Sequence, residues 1–208
     1  MNMITEPAFP SPEPGVSIPE VKGKKFMPRA GAYVIDSLIL YGLNYAASYG
    51  FSYLIGIFLT LIAPIFGSDY YFVTADFTCI NYIVGAVQTI VYFGLFEWLF
   101  GRSPGKVILG MRVVSSDGGA VNFKQAFIRS VYRLIDGLFF GVVAASTMKP
   151  PEFQRLGDKK ASTLVVSSKD PIIKDNPSWW KFVIALAGYL CLEFVIVAME
   201  IFFLIRFA

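Results

Sequence analysis

Arg29-Ala30-Gly31-Ala32-Tyr33-Val34-Ile35-Asp36 opens the first long apolar run of the chain, and a near copy, Arg129-Ser130-Val131-Tyr132-Arg133-Leu134-Ile135-Asp136, opens a later one. Each copy is an arginine, six residues and an aspartate preceded by isoleucine. Seven residues make almost two turns of α-helix, about 10 Å along the axis, so arginine and aspartate share one face. A helix entering a bilayer in this way leaves its arginine at the headgroups and carries its aspartate into hydrocarbon. An unmatched carboxylate there is costly, so the surrounding sequence must supply its partner.

The setting of the two copies is a membrane chain. Of 208 residues, 55% are hydrophobic and only 16% charged, and the mean hydropathy is +0.59. A soluble domain carries about 25% charge. Apolar runs longer than 18 residues complete the pattern of a polytopic protein. No histidine is present, which removes the commonest general base and metal ligand and argues against an enzyme, a metal site or a cofactor. Cys79 and Cys191 both sit in apolar runs and read as small buried hydrophobes. The net charge of +3 is concentrated beside apolar runs, which suits a bilayer with anionic headgroups and not nucleic acid. No basic segment followed by an apolar core occurs at the N-terminus, so no cleavable signal peptide is expected.

Upstream of the first copy, residues 1–21 hold five prolines and three glutamates and are expected to form a disordered leader. Lys22, Lys24, Lys25 and Arg29 form a basic collar. The run from Ala30 to Phe66 is roughly 55 Å long as a helix, beyond the ~30 Å hydrocarbon core, and Gly50, Gly56 and Pro64 are its expected places for a bend or exit. Tyr33, Asp36, Ser37, Tyr41, Asn44, Ser48 and Ser52 recur at steps of three and four, a polar stripe on one face. Such a stripe serves either as interhelical hydrogen bonding or as the wall of a solute path. Gly67 to Asp76 is acidic. A second span, Phe77 to Phe100, carries Asn81, Gln88 and Tyr92 in a similar stripe, with Glu97 out of phase near its far end and expected at the interface.

Gly101-Arg102-Ser103-Pro104-Gly105-Lys106 reads as a turn; its spacing and Val107 exclude a nucleotide phosphate loop. Val107 to Val114 reads as a strand and Ser116-Asp117-Gly118-Gly119 as a hairpin turn. Asn122 with Gln125 forms a capping box opening the second arginine helix. From Val131 to Thr147 that helix offers only 17 residues, which fits a re-entrant or interfacial helix as well as a short crossing. After the charged loop Gln154 to Lys160, Ser162 to Ser167 is a short β run able to pair with the first strand. A linker, residues 169–181, ends in the interfacial anchor Trp179-Trp180-Lys181. The last span, Phe182 to Ile205, carries Glu193 and Glu200 seven apart on one face.

Basic residues put the N-terminus and the connections around the second arginine helix on the cytoplasmic side, and Gly67 to Asp76 outside. Both flanks of that helix are basic, so it dips in and returns or lies along the inner face, unless it crosses against the charge rule. The expected fold class is an all-α membrane protein: three or four transmembrane helices, a short cytoplasmic β-hairpin, and one re-entrant or interfacial helix over residues 131–147. Residues 22–168 form the main membrane domain and residues 182–208 a C-terminal transmembrane helix.

Several ordered blocks carry a resemblance. Arg29 with Asp36, Phe96-Glu97, Gly101-Arg102-Ser103-Pro104-Gly105-Lys106, Leu109-Gly110-Met111-Arg112-Val113-Val114 with Asp117-Gly118, and Gln154-Arg155-Leu156-Gly157-Asp158-Lys159 with Thr163 together resemble the RDD family of membrane proteins over about Lys25 to Val166. The resemblance places the family arginine at Arg29 and the first aspartate at Asp36; Asp136 is taken as the second, with Asp158 competing. Ser103 stands where threonine is usual and Ser162 where glycine is usual. The resemblance implies a bacterial-type inner membrane protein suspected of transport, with sodium–proton exchange proposed for some relatives. It supplies no substrate.

The residues expected to matter are an inner-leaflet network of Arg29, Arg129 and Arg133 with Asp36, Asp136 and Glu97, in which Arg133 can pair with Asp136 one turn away. Gly101, Pro104, Gly105, Lys106, Arg155 and Asp158 are motif-loop positions. Tyr33, Tyr41, Asn44, Asn81 and Gln88 form the polar stripes, and Glu193 and Glu200 are intramembrane acids. Two functions fit. The first is proton- or sodium-coupled transport of ions or small solutes, with Asp36 as the titrating group because its helix offers no arginine after Arg29. The second is a non-catalytic scaffold or accessory subunit in which the arginine–aspartate network only fixes helix register. Four spans at most are few for a lone carrier, so a homo-oligomer or a membrane partner protein is expected.

Overall fold

The computed structural model describes residues 23–66, 78–136, 142–170, 173 and 178–207. The leader, the acidic loop with Asp69 and Asp76, and most of the linker lie outside the described residues, as do the side chains of Cys79 and Asn81. The described chain runs α1 (Phe26–Phe66), α2 (Thr78–Leu99), α3 (Pro104–Ile108), β1 (Met111–Ser115), α4 (Phe123–Asp136), α5 (Val142–Thr147), α6 (Leu156–Lys160), β2 (Thr163–Ser167) and α7 (Trp179–Phe207).

Two described segments are long and apolar enough to cross a membrane by length and composition: Tyr82–Leu99, with mean hydropathy 1.4, and Trp179–Glu200, with mean hydropathy 2.4. They pack against each other and α1 packs along α7. Tyr92, Phe93, Phe96, Ala185 and Tyr189 form the buried centre of this bundle, with Ile39, Leu40 and Leu43 of α1 closing one side. Aromatic edges interlock there: the Tyr92 ring meets Phe93, Phe96 and Tyr189 at centroid distances of 5.0, 5.0 and 5.5 Å. Trp179 and Trp180 stand exposed at the start of α7, as expected of interfacial anchors.

The first run is not interrupted at its glycines. α1 is one helix of 41 residues, about 60 Å long. An isolated glycine weakens a helix by about 1 kcal/mol without interrupting its hydrogen-bond ladder, and Pro64 falls in the last turn, where little helix remains to disrupt. The expected stripe on α1 also divides. Steps of four residues rotate 40° each around a helix, so Tyr33 and Tyr41 drift to the open flank, where Tyr41 is 71% exposed, while Asp36 is fully buried.

At the N-terminal end of α1 lies a small layer built on a two-stranded antiparallel sheet, with Met111 opposite Ser167 and Ser115 opposite Thr163. Both strands are buried on both faces. Met111, Val113 and Val165 pack on Ala32 and Ala126, and Val114, Leu164 and Val166 pack on Ile173. This corrects two expectations. Val107 and Ile108 are helical because Pro104 starts a turn of helix at N1, so the strand begins only at Met111. The strands also do not form a hairpin. The turn at Ser115 to Gly119 closes, with Gly118 N–H on Ser115 O at 2.9 Å, but it delivers the chain into α4. The Asn122–Gln125 capping box opens α4 as expected, with reciprocal bonds of 3.0 and 2.8 Å.

Because β1 and β2 are paired, the 116–162 segment leaves and returns on one side of the bundle. Of residues 131–147, α4 covers those up to Asp136 and α5 those from Val142, and 137–141 lie outside the described residues. α4 is inverted relative to a soluble amphipathic helix. It buries Ala126, Arg129, Ser130, Arg133 and Asp136 and exposes Phe123, Phe127, Leu134 and Ile135. A charged face turned inward and an apolar face turned outward suit a helix lying at a lipid surface.

Candidate functional site

The charged face of α4 meets α2, α1 and α6 in a buried ion network. Glu97, fully buried on α2, is its hub. It accepts from Arg129 Nε at 2.8 Å, Arg133 Nη2 at 2.5 Å and Lys106 Nζ at 2.9 Å. Arg129 also reaches Asp158 through Nη1, which donates to Thr163 Oγ1 at 2.5 Å as well. Asp158, at position N3 of α6, pairs with Arg29 from the first turn of α1 and accepts the Arg155 backbone N–H at 3.1 Å. One guanidinium thus ties α2, α4, α6 and β2 together, and a second ties α1 to the same aspartate.

These contacts set charge states. Burial, the largest influence on Asp158, favours its neutral form, but Arg129, Arg29 and Arg155 overcome this and hold its carboxyl well below the usual range. Burial pulls Lys106 down to about 8, although Glu97 opposes it. Burial likewise pulls Arg155 down to about 10 against the pull of Asp158.

Asp36 is treated differently. Its carboxylate is fully buried, yet among the described residues no cation lies within ion-pair distance. Three neutral donors hold it: Ser103 Oγ at 2.5 Å, the Gly105 N–H at 2.7 Å and Tyr92 Oη at 3.3 Å. Ser103 is the N-cap residue of α3 but makes no side-chain cap, because its hydroxyl is turned to Asp36. Asp36 itself satisfies an orphan N–H of the first turn of α3. Lys106 Nζ donates to Ser103 Oγ at 3.1 Å, so Asp36 touches the ion network only through a hydroxyl. Gly105 makes this approach possible: a Cβ there would lie 2.3 Å from Ala32 O and 2.9 Å from Asp36 Cγ.

Further along the bundle, a second polar group sits among apolar side chains. Gln88 Nε2 donates to Glu193 Oε2 at 2.9 Å and Asn44 Nδ2 to Gln88 Oε1 at 3.3 Å. Tyr189 donates to Asn44 Oδ1. Tyr92 and Tyr189, ring against ring, join this group to Asp36. Glu193 has no exposure, whereas Glu200 stands open to the outside of α7.

Several expectations change at this level. Arg133 pairs with Glu97, not with its neighbour Asp136. Asp136 lies at the edge of the network, buried, with Oδ1 unbonded; burial foremost shifts it upward, against the pull of Arg155 and Arg133. The partner of Arg29 is Asp158. Glu97, expected at the interface, is the centre, because α4 approaches α2 from the side away from the Gln88 stripe. Of the stripe residues, Asn44 and Gln88 meet, while Tyr33 and Tyr41 face outward. Gly101 takes a positive φ of 71° at the turn into β1, and Pro104 starts α3. Ser103, Tyr92, Thr163 and Tyr189 complete the site; the place of Tyr92 four residues after Gln88 in the polar stripe and the position of Ser103 before Pro104 were the available signals.

No curated protein and no solved structure matches the chain. The sequence model of the RDD family matches residues 24–207, so the likeness extends beyond the blocks in Lys25 to Val166 and includes the last helix. A match over nearly the whole chain makes it a member of the RDD family.

Proposed function

We propose that this protein moves protons or small cations across a membrane, with Asp36 as the group that takes up and releases a proton. One observation carries the reading. A column of polar side chains, from Asp36 through Tyr92 and Tyr189 to Asn44, Gln88 and Glu193, runs inside an otherwise apolar helix bundle. Its carboxyls lack the cations that fix Glu97 and Asp158. Intramembrane acids left without a counter-charge are characteristic of ion and proton pathways. In this reading the helices α1, α2 and α7 span a bacterial-type inner membrane with the sheet layer and the N-terminus in the cytoplasm. α4 lies on the inner leaflet among anionic headgroups, and the chain works as a homo-oligomer or with a membrane partner.

A second reading has its own support. Asp36 serves as the cap acceptor of α3, a purely structural task, and a scaffold or accessory subunit needs no more than that. Reconstitution in sealed liposomes separates the two. Internal pH is followed under sodium, potassium and proton gradients for wild type and Asp36→Asn. Flux in wild type that is lost in the variant supports transport; no flux, or flux unchanged by the substitution, refutes it. Single cysteines at Ser116 and Ser168, in a background lacking Cys79 and Cys191, should label from the same side of the membrane.

A further inference from the structure

The two segments able to cross a membrane meet the sheet layer together: Tyr82–Leu99 stops and Trp179–Glu200 starts there, with the Phe100 and Trp179 rings 5.1 Å apart. A cavity of about 370 Å³ opens at this junction, lined by Trp98, Phe100 and Gly101 at the end of α2, Arg112 of β1, and Ser178 and Lys181 at the start of α7. Its size is that of a small-molecule site. Arg112 is only 3% exposed, and its side chain lies along the turn at Gly101, where a Cβ would come 3.3 Å from Nε. A guanidinium carries five N–H donors in a fixed fork, so it can engage the fold and an occupant of the cavity together. The first turn of α7 contains no acid. It places Lys181 instead at the positive end of the helix dipole, where a cation is unfavourable. Two cations and the start of a 29-residue helix thus converge on one cavity, and no acid is among the described residues that line it. An anion relieves all three.

We propose that this cavity binds the phosphate of an anionic phospholipid headgroup, with Arg112 and Lys181 as its charge partners. The surroundings favour a lipid over a soluble phosphate. The chain has three tryptophans, Trp98, Trp179 and Trp180, and all of them stand exposed here. Trp98 lines the cavity, Trp179 packs on Phe100, and Lys181 Nζ lies 5.9 Å from the centre of the Trp180 ring. Exposed indoles at the ends of two apolar helices mark the headgroup level of a bilayer, and basic pockets between membrane helices on the cytoplasmic side seat acidic headgroups. A lipid phosphate held between β1 and α7 fastens the sheet layer to the membrane surface. The site rests on α2 and α7 spanning a membrane, as in the proposed function, and not on transport through Asp36.

Tryptophan fluorescence of the full-length protein in detergent tests it, because every indole borders the cavity. Phosphatidylglycerol brominated on its acyl chains should quench saturably and at lower concentration than brominated phosphatidylcholine. Lys181→Gln should weaken phosphatidylglycerol about fivefold and Lys181→Glu more, while Lys124→Gln, which removes an exposed cation at the start of α4, should change nothing. Arg112→Gln should weaken it as well; the Lys181 variants alter a half-buried side chain and keep the test independent of any loss of folding at Arg112. Inorganic phosphate and glycerol phosphate, added at the lipid's concentration, should not relieve the quenching. Equal quenching by the two lipids, a preference that survives Lys181→Glu, or an equal loss in Lys124→Gln overturns the site. Relief by the soluble phosphates overturns its assignment to a lipid. No ion gradient enters the measurement, so failure here leaves the transport reading standing, and absence of flux in liposomes leaves this site standing.

Discussion

Glu97 on α2 and Glu193 on α7 are both removed entirely from solvent, and the protein handles them in opposite ways. Glu97 sits at the sheet-facing end of its helix, where three cations from α3 and α4 converge on two oxygens. Glu193 sits deep in the bundle and, among the described residues, meets the Gln88 amide and the Tyr189 phenol with no cation at ion-pair distance. The difference follows from what each neighbourhood can supply. Arginine and lysine side chains rooted in the sheet layer reach the end of α2, but no basic side chain roots at the level of Glu193. A buried ion pair broken on one side costs more than it contributes when whole, so the ionic end should tolerate no loss, whereas the neutral column should tolerate neutral replacements. Asp36 lies between them, in contact with both through Ser103 and Tyr92.

Removing Arg129 should break the comparison most violently. Arg129→Met leaves Glu97 and Asp158 each short of a cation at once, a loss of about 3–5 kcal/mol, and no folded protein should survive thermal unfolding assays in detergent. A well-folded variant would mean that the ion network is not what holds α4 and α6 to the helices. Gly105→Ala acts on the junction. A Cβ 2.3 Å from Ala32 O forces α3 away from α1, at a cost of roughly 1–3 kcal/mol, and pulls two of the three donors off Asp36.

Asp36→Asn should be mild by contrast, about 1 kcal/mol or less, because the amide oxygen still accepts from Gly105 and no cation is stranded. A loss as large as that of Arg129→Met would place Asp36 with the ionic group. The smallest effect is expected at the edge. Asp136 has a folded pKa raised above its unfolded value by burial, so its contribution is present below the unfolded pKa and lost as pH rises through the folded one. Asp136→Asn should therefore be more stable than wild type at neutral pH and lose that advantage in acid. Unfolding temperatures at the two pH values check the sign.

Much of this contrast was legible in the sequence. The spans of α2 and α7, the Asn122 cap, and the placement of Arg29 and Asp36 one above the other all follow from local periodicity and turn chemistry. What was hidden depends on where helices meet. Glu97 looked peripheral because its phase was measured against the Gln88 stripe, and periodicity along one helix does not reveal a second helix arriving from another side. Asp158 sat in a charged loop with no helical face to read, and only the β1–β2 pairing, spanning residues that a hairpin would have skipped, carries it to Arg29. Arg133 and Asp136, neighbours on one helix, were an attractive local pair that the three-dimensional pull of Glu97 overrode. The drift of the tyrosines off the Asp36 face is geometry that steps of four residues accumulate quietly.

The division between carboxyls locked by cations and carboxyls held by neutral donors is tested most directly by solid-state NMR of the protein in bilayers. Aspartate and glutamate side-chain carboxyls carry the carbon-13 label, and their signals are followed with pH. Asp36, the proton-carrying group of the proposed function, assigned through Asp36→Asn, should change protonation while Glu97 and Asp158 keep the carboxylate signal throughout. A pH-dependent signal from Glu97 or Asp158 over the same range, or an unchanging signal from Asp36, would contradict the account.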